Sequence, residues 1–87
     1  MPAMARYYLH LSNASIEAED IDGIEAADVA NARLVAVEGI RQFLGHELAM
    51  GMLDLRGRID IADDRGAVVA TVPFADAVTI VGFRPDQ

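Results

Sequence analysis

The sequence predicts an α+β domain: a two-layer sandwich in β-β-α-β-β order, with one long helix packed on an antiparallel-rich sheet. Three observations lead there. Arg6 to Leu11 alternate polar and apolar side chains with the period of a half-buried strand. From Val29 to about Met50 the apolar period becomes helical. Arg58 to Phe74 then returns to alternation on both sides of a polar turn. One helix with a single apolar stripe and strands with one apolar face each bury both by stacking in two layers.

Tyr7, Leu9 and Leu11 form the inward set of the first strand, with Arg6, Tyr8 and His10 facing out. Ser12-Asn13-Ala14-Ser15 supplies turn residues, and Ile16 to Asp20 alternates again. A two-residue Asn13-Ala14 loop pairs Leu11 with Ile16 and Leu9 with Ala18. The same register sets His10 opposite Glu17 and Tyr8 opposite Glu19. Asp22-Gly23 marks a second turn, and Asp28 is the expected N-cap of the helix. Around Ile40, residues Val29, Ala36, Val37, Phe43, Leu44 and Leu48 gather within about 80° of the stripe's centre. Asn31, Glu38, Gln42 and Ala49 lie on the far side. Gly39 and Gly45 each weaken the helix by roughly 1 kcal/mol relative to Ala, so tertiary packing must hold it. Gly51 is the expected C-terminal cap.

Leu53 to Gly57 connects to a third strand around Ile59 and Ile61, and Asp63-Asp64-Arg65-Gly66 reads as a tight turn. Val68, Ala70, Val72 and Phe74 share a face of the fourth strand. A four-residue loop would pair Ile61 with Val68 and Ile59 with Ala70. Pro73 cannot donate to a ladder, so it ends that strand or bends it at an edge. Ala77 to Phe83 has strand composition and is expected either as a fifth strand or as a segment that binds elsewhere. The sheet face away from the helix would carry Tyr8, His10, Glu17, Glu19, Arg58, Asp60, Val69 and Thr71.

Size and charge narrow the function classes. The chain has 87 residues, no linker and no repeat, which is one domain over 1–87. Its apolar fraction of 53% is enough for a core. A domain this small buries only about 60–65% of its unfolded surface, so its margin is thin. With no cysteine there is no disulfide or thiolate metal site, and self-association is the remaining support. Fourteen acidic residues against seven arginines give a net charge of -7, which disfavours nucleic acid as a partner. No run approaches the roughly 18 to 20 apolar residues of a membrane span, and the opening residues lack a signal-peptide core. A cytoplasmic protein with no membrane contact is expected.

The stretches Arg6-Tyr7-Tyr8-Leu9-His10-Leu11, Leu53-Asp54-Leu55-Arg56-Gly57-Arg58-Ile59, Asp63-Asp64-Arg65-Gly66 and Val72-Pro73-Phe74-Ala75-Asp76-Ala77 occur in this order across nearly the whole chain. Together they resemble a family of small bacterial proteins, commonest in alpha-proteobacteria and grouped as a domain of unknown function. Members of that family open Met-Pro-Arg-Tyr-Phe-Phe-His. This chain departs by the inserted Ala3-Met4-Ala5, which makes Met4 the expected start. The resemblance implies a stand-alone domain and brings no activity, cofactor or catalytic residue.

Glu17, Glu19, Asp20, Asp22, Glu25 and Asp28 crowd six carboxylates into twelve residues. Calcium takes oxygen ligands, and setting Gly23 as the glycine of a calcium loop puts Asp20 and Asp22 at ligand positions. Ala18 then falls at the first position and Val29 at the last, where carboxylates are needed. A solvated acidic edge that blunts strand pairing and favours the helix N-terminus is the better account. His46 lies on the exposed side of the helix. His10 beside Glu17 could be oriented as a general base, but without cysteine or an oxyanion hole near the serines a structural pair is the simpler reading. No catalytic residue, cofactor or metal site is therefore expected, and an enzyme is the less favoured class.

The expected function is a small non-catalytic interaction or regulatory module that self-associates as a homodimer, with an unidentified protein partner as a further possibility. The alternative is a domain that binds a small ligand or cation through the acidic edge and open sheet face. The expected interaction surface includes Tyr8, His10, Glu17 and Glu19 on the sheet. It also includes Leu34 and Val35, which extend the helix's apolar surface beyond what one sheet covers, and Val78 and Ile80 in the tail. Of the helix and the tail, the tail is the favoured dimer contact because Val78-Thr79-Ile80-Val81 has strong strand character.

Overall fold

The computed structural model describes residues 3–83. Strands β1 (Ala5–Asn13), β2 (Glu17–Ala18) and β3 (Ile24–Ala26) precede helix α1 (Val29–Ala49), and β4 (Gly57–Ala62), β5 (Val68–Pro73) and a 3-10 turn (Phe74–Ala77) follow. The antiparallel sheet runs β2-β1-β4-β5, with β3 also on β1. This is the expected α+β sandwich, with one strand more before the helix. The reading of the start, which turns on Met1 and Pro2, lies outside the described residues, as do the tail's last four, 84–87.

The long first strand is the axis of the sheet. Its Asn13 end pairs with β2 and its Ala5 end with β3, while β4 runs along its other side from Tyr8 to Asn13. Ile24-Glu25-Ala26 was too short to show alternation, yet Ala5 pairs with Ala26 and Tyr7 with Ile24. Between the two short strands the chain lifts away over residues 19–23 and turns at Gly23, whose φ is 71°. A side chain there would collide with the Tyr7 carbonyl and the Tyr8 ring, so only glycine fits.

Both hairpin registers differ from expectation by two residues. Leu11 pairs with Ala18 rather than Ile16, and Ser12, not His10, stands opposite Glu17. Asn13 is the cause: its Oδ1 accepts the Ser15 and Ile16 N–H groups, each at 2.8 Å, and holds a longer loop. In the second hairpin Ile61 pairs with Ala70 and Ile59 with Val72, with an irregularity between Ile61 and Ala62. Asp63 Oδ1 there accepts from the Arg65 and Ala67 amides, both at 2.9 Å, and lengthens the turn so that Ala62 pairs with Val68; the irregularity adds the second residue of the slip. Val68 is consequently exposed instead of sharing the core face.

The helix starts where expected. Asp28 Oδ1 accepts the Asn31 N–H at 2.9 Å, capping an orphan donor. It ends in a Schellman arrangement: Gly51 N–H donates to Leu48 O and Met52 N–H to Glu47 O, with Gly51 at φ 91°. Ala32, Ala36, Ile40 and Leu44 form the buried stripe, and Leu48, expected within it, is exposed. They pack on Tyr7, Ile59, Ile61, Val72 and Phe74.

Phe74 closes the core from the 3-10 turn rather than from β5. It is fully buried, its ring centroid lies 5.6 Å from that of Phe43, and a side chain on Gly57 would strike it. Beyond the turn, Val78 to Phe83 makes no strand, so this stretch does not form the fifth strand expected of it. Pro73 ends the ladder and the chain turns into the helix layer, where Arg41 Nε donates to Ala77 O at 2.7 Å.

Candidate functional site

The sheet leaves one face uncovered, and the registers decide which side chains meet on it. His10 lies opposite Asp60, Ser12 opposite Arg58, and Asp60 opposite Thr71. Three of these groups are fixed by neighbours. Thr71 Oγ1 donates to Asp60 Oδ1 at 2.8 Å, Arg58 Nε donates to Asp60 Oδ2 at 3.1 Å, and the Asp20 N–H donates to His10 Nδ1 at 3.0 Å. His10, Ser12, Glu17, Glu19, Arg58 and Asp60 line a shallow hollow of about 450 Å³. A second hollow of about 320 Å³ on the other side of His10 is lined by Tyr8, Asp20 and the Asp63-Asp64 turn.

This geometry limits the chemistry of His10. A ring that accepts through Nδ1 carries its proton on Nε2 when neutral, so it presents a donor, not a base. The expected His10–Glu17 pair is replaced by contact with the Asp20 backbone. The Asp20 carboxylate is itself engaged: Oδ2 accepts the Leu9 N–H and Oδ1 the Gly23 N–H, both at 3.0 Å. Among the described residues no three His, Asp or Glu side chains are placed to hold a metal ion. No helix among them is long and apolar enough to cross a membrane.

A second candidate lies on the opposite side of the molecule. Leu34 and Val35, 68% and 45% exposed, wall a groove of about 350 Å³ completed by Glu38, Gly39 and Gln42. The tail offers a third: Ile80, Val81 and Phe83 are exposed, whereas Val78 is half-buried against the core. The eight expected surface residues therefore fall in three places. Tyr8, His10, Glu17 and Glu19 share the sheet face, Leu34 and Val35 the helix groove, and Val78 and Ile80 the tail. Ser12 and Gly39 were missed, the first because it read as turn and the second because it read only as a weak helix residue.

One perturbed carboxyl sits apart from all three. The Arg56 side chain hydrogen-bonds Asp54, with help from its own backbone N–H, and lowers the Asp54 pKa from 3.8 to about 2. The pair bridges two positions of one loop and raises the Arg56 pKa in turn.

The fold and its surfaces define a small α+β domain with one polar sheet face and one grooved helix face. The chain belongs to the family described as a domain of unknown function, DUF6894, which matches residues 6–75. No curated protein and no solved structure matches it.

Proposed function

We propose that the chain is a non-catalytic interaction module that self-associates as a homodimer, in the bacterial cytoplasm. The family's range, on this reading, is small bacterial proteins, commonest in alpha-proteobacteria. The observation that carries the proposal is the exposure of Leu34 and Val35 on the side of the helix turned from the sheet. A stable monomer gains nothing from two large aliphatic side chains there, whereas a partner's surface would bury them. A core of this size supplies little stability alone, and association adds to it. Light scattering at micromolar concentration tests the reading. A mass near twice 9.4 kDa is expected, and a mass near 9.4 kDa would sink it.

A second reading rests on the sheet face. Arg58, Asp60 and His10 are held in place before any ligand arrives, which lowers the entropic cost of binding a small polar molecule. A rise in melting temperature with a zwitterionic metabolite, absent in Arg58→Ala, would favour this reading over the first.

A further inference from the structure

We propose that the C-terminal end of α1 binds one soft monovalent cation, Cu(I), through the imidazole of His46 and the thioethers of Met50 and Met52. Two of the chain's four methionines and one of its two histidines fall within these seven residues. None of the three serves the core. His46 is exposed, and Met50 and Met52 are 88% and 53% exposed. Among the described residues no cluster of three His, Asp or Glu competes for a metal, and the chain has no cysteine.

Local geometry brings the three side chains together. Residues four apart on a helix are neighbours on one face, which sets Met50 beside His46 at the last turn. Met50 N–H still donates into the helix, to Glu47 O at 3.0 Å, so its side chain continues that row. The chain then reverses at Gly51, and Met52 N–H returns to the same Glu47 O at 3.1 Å. In this cap the residue after the glycine packs back towards the third and fourth residues from the helix end, here Glu47 and His46. Met50 and Met52 therefore flank His46. Their unbranched stems, with three rotatable bonds each, can close on a common ion.

The donor atoms select the ion. Thioether sulfur favours Cu(I), imidazole accepts it, and calcium and magnesium require oxygen instead. The place favours a cation as well, because the last carbonyls of α1 carry the negative end of the helix dipole. Glu47, three residues before Met50 and so its neighbour on the helix, keeps Oε1 buried with no hydrogen-bond partner. No arginine pairs with that carboxylate among the described residues. A cation held at Met50 supplies the missing positive charge.

Silver(I), which shares the ligand preferences of Cu(I) and is redox-inert, is the first probe on the full chain. In chloride-free buffer, one equivalent of silver nitrate should shift the Met50 and Met52 methyl resonances and the His46 ring. Met4, exposed but outside the cap, should not move. Cu(I) should then be withheld from a chromogenic chelator. His46→Gln, Met50→Leu and Met52→Leu should each weaken that competition by at least the roughly tenfold that losing even an outer-shell partner costs. Their helical circular dichroism should be unchanged, since all three residues are exposed. Equal silver shifts at Met4, Cu(I) binding that survives the double variant Met50→Leu/Met52→Leu, or zinc binding as tight as Cu(I) would overturn the site.

Discussion

The Leu9 amide donates to Asp20 Oδ2 at 3.0 Å in the interval between β2 and β3, where the edge of β1 away from β4 has no strand beside it. A carboxylate there takes the place of a strand's carbonyl. Its other oxygen holds the Gly23 amide, so a single side chain joins the two short strands along one edge.

Asp20→Ala should remove both acceptors at once. Each amide left without a partner costs about 1–3 kcal/mol when buried, less where water reaches it. Chemical denaturation should show a loss of about 2 kcal/mol, and the Leu9 amide should exchange its hydrogen faster than Leu11. Unchanged exchange at Leu9 would mean that the carboxylate is incidental.

His10→Gln should cost only about 0.5–1 kcal/mol, since the acceptor for the Asp20 N–H is one hydrogen bond of a half-exposed site. Association should persist. If a bound partner or ligand is lost while the melting curve stays in place, the sheet face is the binding surface.

Gly57 and Phe74 should couple. Gly57→Ala drives a methyl into the ring and is expected to cost about 1–3 kcal/mol as overpacking. Phe74→Leu empties part of the same space and loses the Phe43 contact. In the double variant the Gly57→Ala penalty should fall by more than about 0.5 kcal/mol, read from a urea-denaturation cycle. Additive losses would show that the backbone, not the ring, absorbs the methyl.

Asp54 provides the pH test. Its pKa falls from 3.8 to about 2 on folding, so its contribution is complete above 3.8 and disappears as the pH drops towards 2. Arg56→Gln should return the Asp54 midpoint towards 3.8 in a carboxyl NMR titration. The melting temperature at neutral pH should barely move, because the arginine is largely exposed.

The layers and faces were legible in the sequence because alternation and helical period record burial directly. Tyr7, Ile40, Ile59, Ile61 and Val72 are all in the core where the patterns put them. Registers were less legible, since Asn13 and Asp63 lengthen their turns through side-chain hydrogen bonds that pattern does not encode. An even slip keeps Ile59, Ile61 and Val72 inward, whereas Ile16, Ala18 and Val68, at the turn ends of their strands, are exposed. The tail misled for another reason. Val78 to Val81 has strand composition, but Pro73 and the turn after it carry the chain off the sheet before a ladder can form. At the sheet face, the i, i+2 pair Arg58 and Asp60 was readable, whereas the hold of Asp20 on Leu9 required the three-dimensional gap.

The bond from Arg41 to the Ala77 carbonyl also governs attachment. It anchors the 3-10 turn to the helix layer just before Val78, so the chain leaves that turn beside α1 and away from Tyr8 and His10. A fluorescent reporter or affinity handle attached at the exposed Thr79, two residues beyond this anchor, would sit on the helix side and leave the polar sheet face open to bait. Surface immobilisation through that position would thus present one side of the molecule and shadow the other.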